Sequence, residues 1–292
     1  MPVLISAQEL NELINSGRPV RILDVRWSLA TPDGRPAYRA GHIPAAVYVD
    51  LETELSGQGK PTDGRHPLPA IGDLQAAARR WGIRSGDTVV VYDDIGGQSA
   101  ARAWWLLGHA GIEDVRILDG ALEAWRAAGL PMATGDRDTE AVEPGDVELA
   151  YGHRRVIDAD EAASFAVHGV LLDARAAERY RGEVEPVDPR AGHIPGATSA
   201  PTGENLGPDG RFRAPAELAA RFAALGADGS RPIAVYCGSG VTAAHTIAAL
   251  AVIGRDAALF PGSWSAWSSD PARPAATGAS PGVPASPPAK KP

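Results

Sequence analysis

Ala40-Gly41-His42-Ile43-Pro44 recurs letter for letter as Ala191-Gly192-His193-Ile194-Pro195, and self-similarity at a long fixed offset marks an internal duplication. The flanks recur as well. Ile22-Leu23-Asp24-Val25-Arg26 precedes the first copy, and Leu171-Leu172-Asp173-Ala174-Arg175 precedes the second at a similar distance. Downstream, Thr88-Val89-Val90-Val91-Tyr92-Asp93 matches Pro232-Ile233-Ala234-Val235-Tyr236-Cys237, and small residues and then an apolar helical stretch follow each run. Each half closes on Gly and Trp, from Asp119-Gly120 to Trp125 and at Pro261-Gly262-Ser263-Trp264. A chance pentapeptide would not bring its neighbours along, so the chain carries two copies of one domain.

The copies also start alike: Ser6 has Glu9 three residues on and Asp158 has Glu161 three residues on, each ahead of apolar helical spacing, which is a helix-start signature. Short β-branched runs alternate with Ala- and Leu-rich stretches such as Leu74 to Trp81 and Ala216 to Leu225. That alternation is the βαβ pattern of an α/β fold, here two tandem domains, each a mainly parallel sheet flanked by helices. The expected boundaries are a first domain over 1–133, an acidic, aperiodic linker over 134–149, and a second domain over 150–270. The Pro/Ala-rich stretch 271–292 is expected to be a disordered tail, since such a composition offers little apolar surface to offset ordering entropy.

A chain of 292 residues with 44% hydrophobic and 22% charged residues is long enough for two cores and ordinary for a folded protein. No apolar run approaches the roughly 20 residues of a membrane span, and Met1 to Glu9 shows no secretory signal pattern, so a cytoplasmic protein is expected; a monomer is the separate expectation for its assembly. The net charge of −8 disfavours nucleic acid and anionic membranes as partners. One cysteine allows neither an internal disulfide nor a zinc site of clustered thiolates. No His/Asp/Glu set has metal-ligand spacing, and there is neither a P-loop nor a dinucleotide fingerprint, so no cofactor is implied.

Chemistry concentrates at Cys237. In parallel sheets, ligands bind beyond the carboxyl ends of the strands, and Cys237-Gly238-Ser239-Gly240-Val241-Thr242 lies between a strand and the helix that follows. Its glycines let backbone N–H groups turn inward as an anion nest, and such a nest favours a thiolate. The hydroxyls of Ser239 and Thr242 are expected to donate as well. A lone cysteine after an apolar strand is in general a small buried hydrophobe. Here the first copy puts Asp93 in the same place, so the fold itself does not require a thiol.

The duplicated halves, both Gly-His-Ile-Pro segments and the Cys237 to Thr242 loop resemble the tandem-domain rhodanese family over about residues 3–275. The loop is similar to that of the 3-mercaptopyruvate sulfurtransferase branch; thiosulfate-preferring members usually carry basic residues there. The resemblance implies a sulfurtransferase without cofactor: Cys237 takes sulfur from a small-molecule donor, mercaptopyruvate or alternatively thiosulfate. The persulfide then passes sulfur to thioredoxin, a low-molecular-weight thiol or cyanide. It also implies an inactive first domain, consistent with Asp93.

By the same resemblance, Arg179 grips the donor's carboxylate, Arg190 substitutes for a second arginine that does not align, and Asp188 stands where that arginine is expected. His66 and the acidic pair Asp50 and Glu52 match positions facing the active loop, with Glu52 orienting Ser239 as a base is oriented in a triad. A cysteine phosphatase or arsenate reductase places an arginine six residues after the cysteine; here that residue is Ala243. A noncatalytic sulfur-sensing or protein-binding module is the alternative from another class. His42 and His193 recur in both copies and are read as structural, and the tryptophans Trp104, Trp105, Trp125, Trp264 and Trp267 as core.

Overall fold

The computed structural model describes residues 1–136 and 142–284. It divides into two compact units. The first comprises Met1–Gly57, Leu68–Arg154 and Leu206–Phe212; the second comprises Gln58–Pro67, Arg155–Asn205 and the chain from Arg213 onward. Each unit therefore includes a short segment from the other sequence copy.

In the first unit, β1 (Leu4–Ile5), α1 (Ala7–Asn15), β2 (Val20–Asp24), α2 (Arg35–Ala40), β3 (Val47–Tyr48), α3 (Leu51–Glu54), α4 (Ile71–Arg80), β4 (Thr88–Tyr92), α5 (Ala100–His109), β5 (Val115–Leu118) and α6 (Ala121–Ala127) build one parallel sheet of order β1-β5-β4-β2-β3. Every residue of β4 is buried, as expected of a central parallel strand covered on both faces. In the second unit, α7 (Ala159–His168), β6 (Val170–Asp173), α8 (Ala177–Arg181), β7 (Thr198–Ser199), α9 (Pro215–Ala224), β8 (Ile233–Tyr236), α10 (Thr242–Val252), β9 (Ala258–Leu259) and α11 (Ser263–Ser269) build the parallel sheet β7-β6-β8-β9. A single parallel bridge from Val156 to Leu259 takes the place that β1 holds in the first sheet. Among the described residues no helix is long and apolar enough to cross a membrane.

The recurring letters are structural. Ser6 and Glu9 form a reciprocal capping box on α1, and Asp158 and Glu161 form one on α7, satisfying N–H groups that a helix start leaves unpaired. In the first unit Arg26 grips Asp24 at 2.6 Å and donates to the Gly41 carbonyl; in the second Arg175 grips Asp173 at 2.6 Å and donates to the Gly192 carbonyl. The Asp-x-Arg motif thus ties a central strand to the Gly-His-Ile-Pro turn. In that turn His42 Nδ1 bonds the Tyr38 carbonyl and His193 Nδ1 the Tyr180 carbonyl, and each imidazole stacks on its tyrosine. Trp105, Trp125, Trp264 and Trp267 are fully buried, and Trp104 nearly so.

The expected tail and linker are corrected. Ala276 makes an antiparallel bridge with His193, just as Ala133 does with His42. Trp267 Nε1 donates to the Pro274 carbonyl at 2.8 Å as Trp125 Nε1 does to Pro131, and Gly278 N donates to Arg181 as Gly135 N does to Arg39. Residues 271–278 are therefore the closing segment of the second copy, ordered by backbone pairing and not by apolar content; 285–292 lie outside the described residues. Of the expected linker, 137–141 lie outside the described residues, while Val142, Val147 and Leu149 are buried and Gly145 N donates to the Arg79 carbonyl. The first unit accordingly runs to Arg154.

Candidate active site around Cys237

Cys237 leaves the carboxyl end of β8, a strand flanked by β6 and β9. Its backbone is pinned on both sides: the N–H donates to Ser263 Oγ at 3.1 Å, and the carbonyl accepts from Trp264 N at 2.9 Å. The Gly238 carbonyl accepts from Ser265 N at 2.9 Å, so the first turn of α11 holds the start of the loop. Ser263 does this at φ +54°, a strained value for a residue with a Cβ and one that persists where the surroundings fix it.

Cys237 as a whole is only 2% exposed. Among the described residues the donor that reaches Sγ is Gly240 N–H, at 3.1 Å. Gly240 has φ +80°, and a Cβ there would lie 2.5 Å from the Pro261 carbonyl oxygen, so this turn admits only glycine. Of the two expected hydroxyl donors, Ser239 is engaged elsewhere. Ser239 Oγ is bonded to His66 Nδ1 at 2.7 Å, and Thr242 meets its neighbour Thr202 Oγ1 through its carbonyl, at 3.4 Å. Val241 caps α10, whose first turn begins at Thr242.

The first unit shows what such a loop holds. The Asp93 carboxylate is fully buried and accepts from Ile95 N, Gly97 N, Ser99 N, Ser99 Oγ and Ala100 N at 2.7–3.0 Å. Burial pushes this carboxyl above its ordinary range, and the backbone donors and the Ser99 hydroxyl pull the other way. The strand-to-helix loop is thus an anion nest in the first copy, filled by its own side chain.

Two guanidinium groups border the loop of the second unit. A Cβ built on Gly238 would lie 3.2 Å from Arg65 Nη2 and 3.5 Å from Arg179 Nη1. Arg179 was expected here; Arg65 was not, although it stands next to His66 in the sequence. Both arginines are already paired. Asp188 bonds Arg65 Nη1 with one carboxylate oxygen and Arg179 Nη2 with the other, the latter at 3.2 Å, and Glu185 bonds Arg179 at 2.5 Å and Arg175 at 3.2 Å. Burial pushes the Asp188 carboxyl above its ordinary range; Arg65 pulls it down, Glu185 pushes it up, and Arg179 and Arg175 pull it down.

Other expectations are corrected. Arg190 is not at this rim: its guanidinium donates to the backbone carbonyls of Trp267, Ser268, Asp270 and Arg273 and so anchors the closing segment. The group that bonds Ser239 is the His66 imidazole, not an acid. Glu52 belongs to the first unit, where its carboxylate accepts from Trp27 Nε1 at 2.7 Å, and Asp50 caps α3 by accepting from Thr53 N. Among the described residues no group of three or more His, Cys, Asp or Glu side chains converges as metal ligands would.

Comparison with known proteins agrees with this geometry. Residues 6–128 and 156–270 each match the rhodanese-like domain. A Mycobacterium tuberculosis protein provisionally named thiosulfate sulfurtransferase SseB is 53% identical over 281 residues, 94% of this chain and 97% of that one. A Pseudomonas aeruginosa protein provisionally named 3-mercaptopyruvate sulfurtransferase is 46% identical over 284 residues, 94% of this chain and 98% of that one. The crystal structure of SseA from Escherichia coli superposes with a TM-score of 0.80 at 33% identity, over 90% of this chain and 99% of that one. The chain belongs to the rhodanese family, with one rhodanese-like domain in each half.

Proposed function

We propose that the second unit is a sulfurtransferase that carries sulfur on Cys237 and takes it from 3-mercaptopyruvate in preference to thiosulfate. The observation that carries the reading is the Gly240 N–H aimed at Cys237 Sγ at 3.1 Å, in a loop whose counterpart in the first unit holds a carboxylate. Backbone donors fixed before reaction stabilise sulfur anions at no reorganisation cost during reaction.

The Cys237 thiolate attacks the donor's outer sulfur and an S–S bond forms. The donor's bond to that sulfur breaks, and the electron pair leaves with sulfite or with the enolate of pyruvate, which then takes a proton. In the second half an acceptor thiolate, from thioredoxin or a low-molecular-weight thiol, or cyanide, attacks the terminal sulfur and returns Cys237 as thiolate. The Ser239 hydroxyl, bonded to His66, passes the proton to the enolate. Arg65 and Arg179 meet the donor's anionic group, for which planar guanidinium forks are suited. A reducing compartment such as the cytoplasm keeps a lone cysteine available as thiol.

The preference for mercaptopyruvate rests on charge: Gly238 and Ser239 add none, and the rim arginines are matched by Asp188 and Glu185. The test is paired steady-state turnover with each donor, cyanide as acceptor and Cys237→Ser as control, with intact mass read for the gain of one sulfur atom. A higher kcat/KM for mercaptopyruvate supports the reading. Turnover without a sulfur-loaded intermediate, or none with either donor, ends it.

A further inference from the structure

We infer that Asp188 is the donor-specificity residue of this site, a resident carboxylate that occupies the anion-binding faces of Arg65 and Arg179 and selects singly charged donors over doubly charged ones. The inference rests on the reading of Cys237 as the sulfur carrier and deepens it.

Asp188 bridges the two arginines with its two oxygens, and its side chain is only 2% exposed, whereas that of Arg65 is 28% exposed. The carboxylate therefore lies behind the guanidinium groups, away from solvent, and the cations stand on the open side. Both face the position above Gly238 where a Cβ would sit, next in sequence to the sulfur carrier. Among the described residues Arg65 Nε, a buried nitrogen, has no hydrogen-bond partner, and buried polar groups rarely stay unpaired.

The charges cancel: two guanidinium groups meet Asp188 and Glu185, while Arg175 is held by Asp173. A donor with one carboxylate can take the free N–H groups without repulsion from an excess of negative charge. A dianion brings a second charge into a rim that has no net positive charge to receive it, and the partly buried setting leaves that repulsion poorly screened. Asp188 acts through the arginines and touches no reacting atom, so it is a positioning and selecting residue.

The experiment uses the full chain carrying Cys237→Ser and reads the affinities of sulfate, a dianion shaped like thiosulfate, and pyruvate, a monoanion, by calorimetric titration with and without Asp188→Asn. Removing one carboxylate charge is expected to raise the sulfate-to-pyruvate affinity ratio about tenfold, and Asp188→Glu is expected to keep the original ratio. A merely structural role would weaken both anions together and leave the ratio where it was, which overturns the inference. Should Asp188→Asn fail to fold, the chain with Asp188 intact still decides: sulfate bound about tenfold more tightly than pyruvate contradicts a rim that selects against dianions. The parent reading fails separately, by absence of sulfur uptake on Cys237 from either donor, a result that leaves the anion ratio measurable.

Discussion

Gly240→Ala should disable the site more than its one added methyl suggests. Gly240 sits at φ +80°, where a side chain costs about 1–2 kcal/mol, and the new Cβ would lie 2.5 Å from the Pro261 carbonyl oxygen and 3.1 and 3.2 Å from Pro261 Cα and C. All three are backbone atoms, and the residues after Pro261 hold the loop through Ser263, Trp264 and Ser265, so the neighbour cannot give way cheaply. Overpacking of this kind costs about 1–3 kcal/mol. Together the terms predict a loss of about 2–5 kcal/mol, or about 4–20 °C in the second unit's melting transition at the scale for a domain near this size. The relief is a shift of Gly240 itself, which carries its N–H away from Cys237 Sγ. A hydrogen bond to a charged acceptor contributes about 1.5–3 kcal/mol, so sulfur uptake from the donor should slow by about ten- to a hundredfold. Differential scanning calorimetry and single-turnover sulfur uptake by intact mass read the two effects. Gly203→Ala, where nothing lies within 4 Å of the added methyl, is the control and should change neither. A Gly240→Ala protein that melts and loads as the parent does would refute the reasoning about the nest.

Two further outcomes follow from residues outside the loop. Arg190→Met removes the guanidinium that binds the carbonyls of Trp267, Ser268, Asp270 and Arg273; protease should then cut 271–284 faster, while the ratio of kcat/KM for the two donors stays as in the parent, and a changed ratio would return Arg190 to the substrate site. In the first unit, burial pushes the Asp114 carboxyl up, but the Arg116 guanidinium at 2.7 Å and the Thr88 hydroxyl at 2.8 Å outweigh it and hold the carboxyl below its ordinary range. Its stabilising contribution is therefore present above the unfolded-state value and lost as pH falls through the folded one, so Asp114→Asn should flatten the acid side of the first unit's stability profile and leave the alkaline side alone.

The duplication carried most of the fold in legible form, because parallel sheets repeat a βαβ unit whose buried strands and helix starts leave marks in the letters. Composition misled at the end of the chain. Pro131-Met132-Ala133-Thr134-Gly135 recurs as Pro274-Ala275-Ala276-Thr277-Gly278, and this fainter repeat was the sign that 271–278 closes the second domain. Its order comes from carbonyls and N–H groups met by Trp267, Arg190 and His193, which a count of apolar residues does not register. At the site, Cys237 and its loop could be read from the letters between strand and helix, and Arg179 from the family resemblance. Arg65 could not, since Gln58–Pro67 joins the second unit although it lies in the first sequence copy. Nor could the fate of Arg190, because an arginine that binds a carboxylate and one that binds carbonyls look alike in sequence.

Asp93 and Cys237 together predict how sulfur loading changes the protein. Counted from Cβ, the carboxylate oxygens of Asp93 are two bonds out; a thiolate sulfur is one bond out and the terminal sulfur of a persulfide is two. The first unit thus holds its anion at the bond count that the second reaches only when loaded. Among the described residues Asp93 accepts from five donors, whereas the bare Sγ of Cys237 is reached by the N–H of Gly240. A terminal sulfur anion extends about 2 Å beyond Sγ, toward the N–H groups at the start of α10, and finds there the donors that helix starts leave free. One added charge-assisted bond contributes about 1.5–3 kcal/mol, so the loaded second unit should melt about 3–12 °C higher than the unloaded one. Loading with a sulfur donor, desalting and scanning before and after removal of the sulfur with cyanide measures this directly. Cys237→Ser treated in parallel should show no shift, and equal melting of loaded and stripped protein would mean that the nest serves the attacking thiolate and not its cargo.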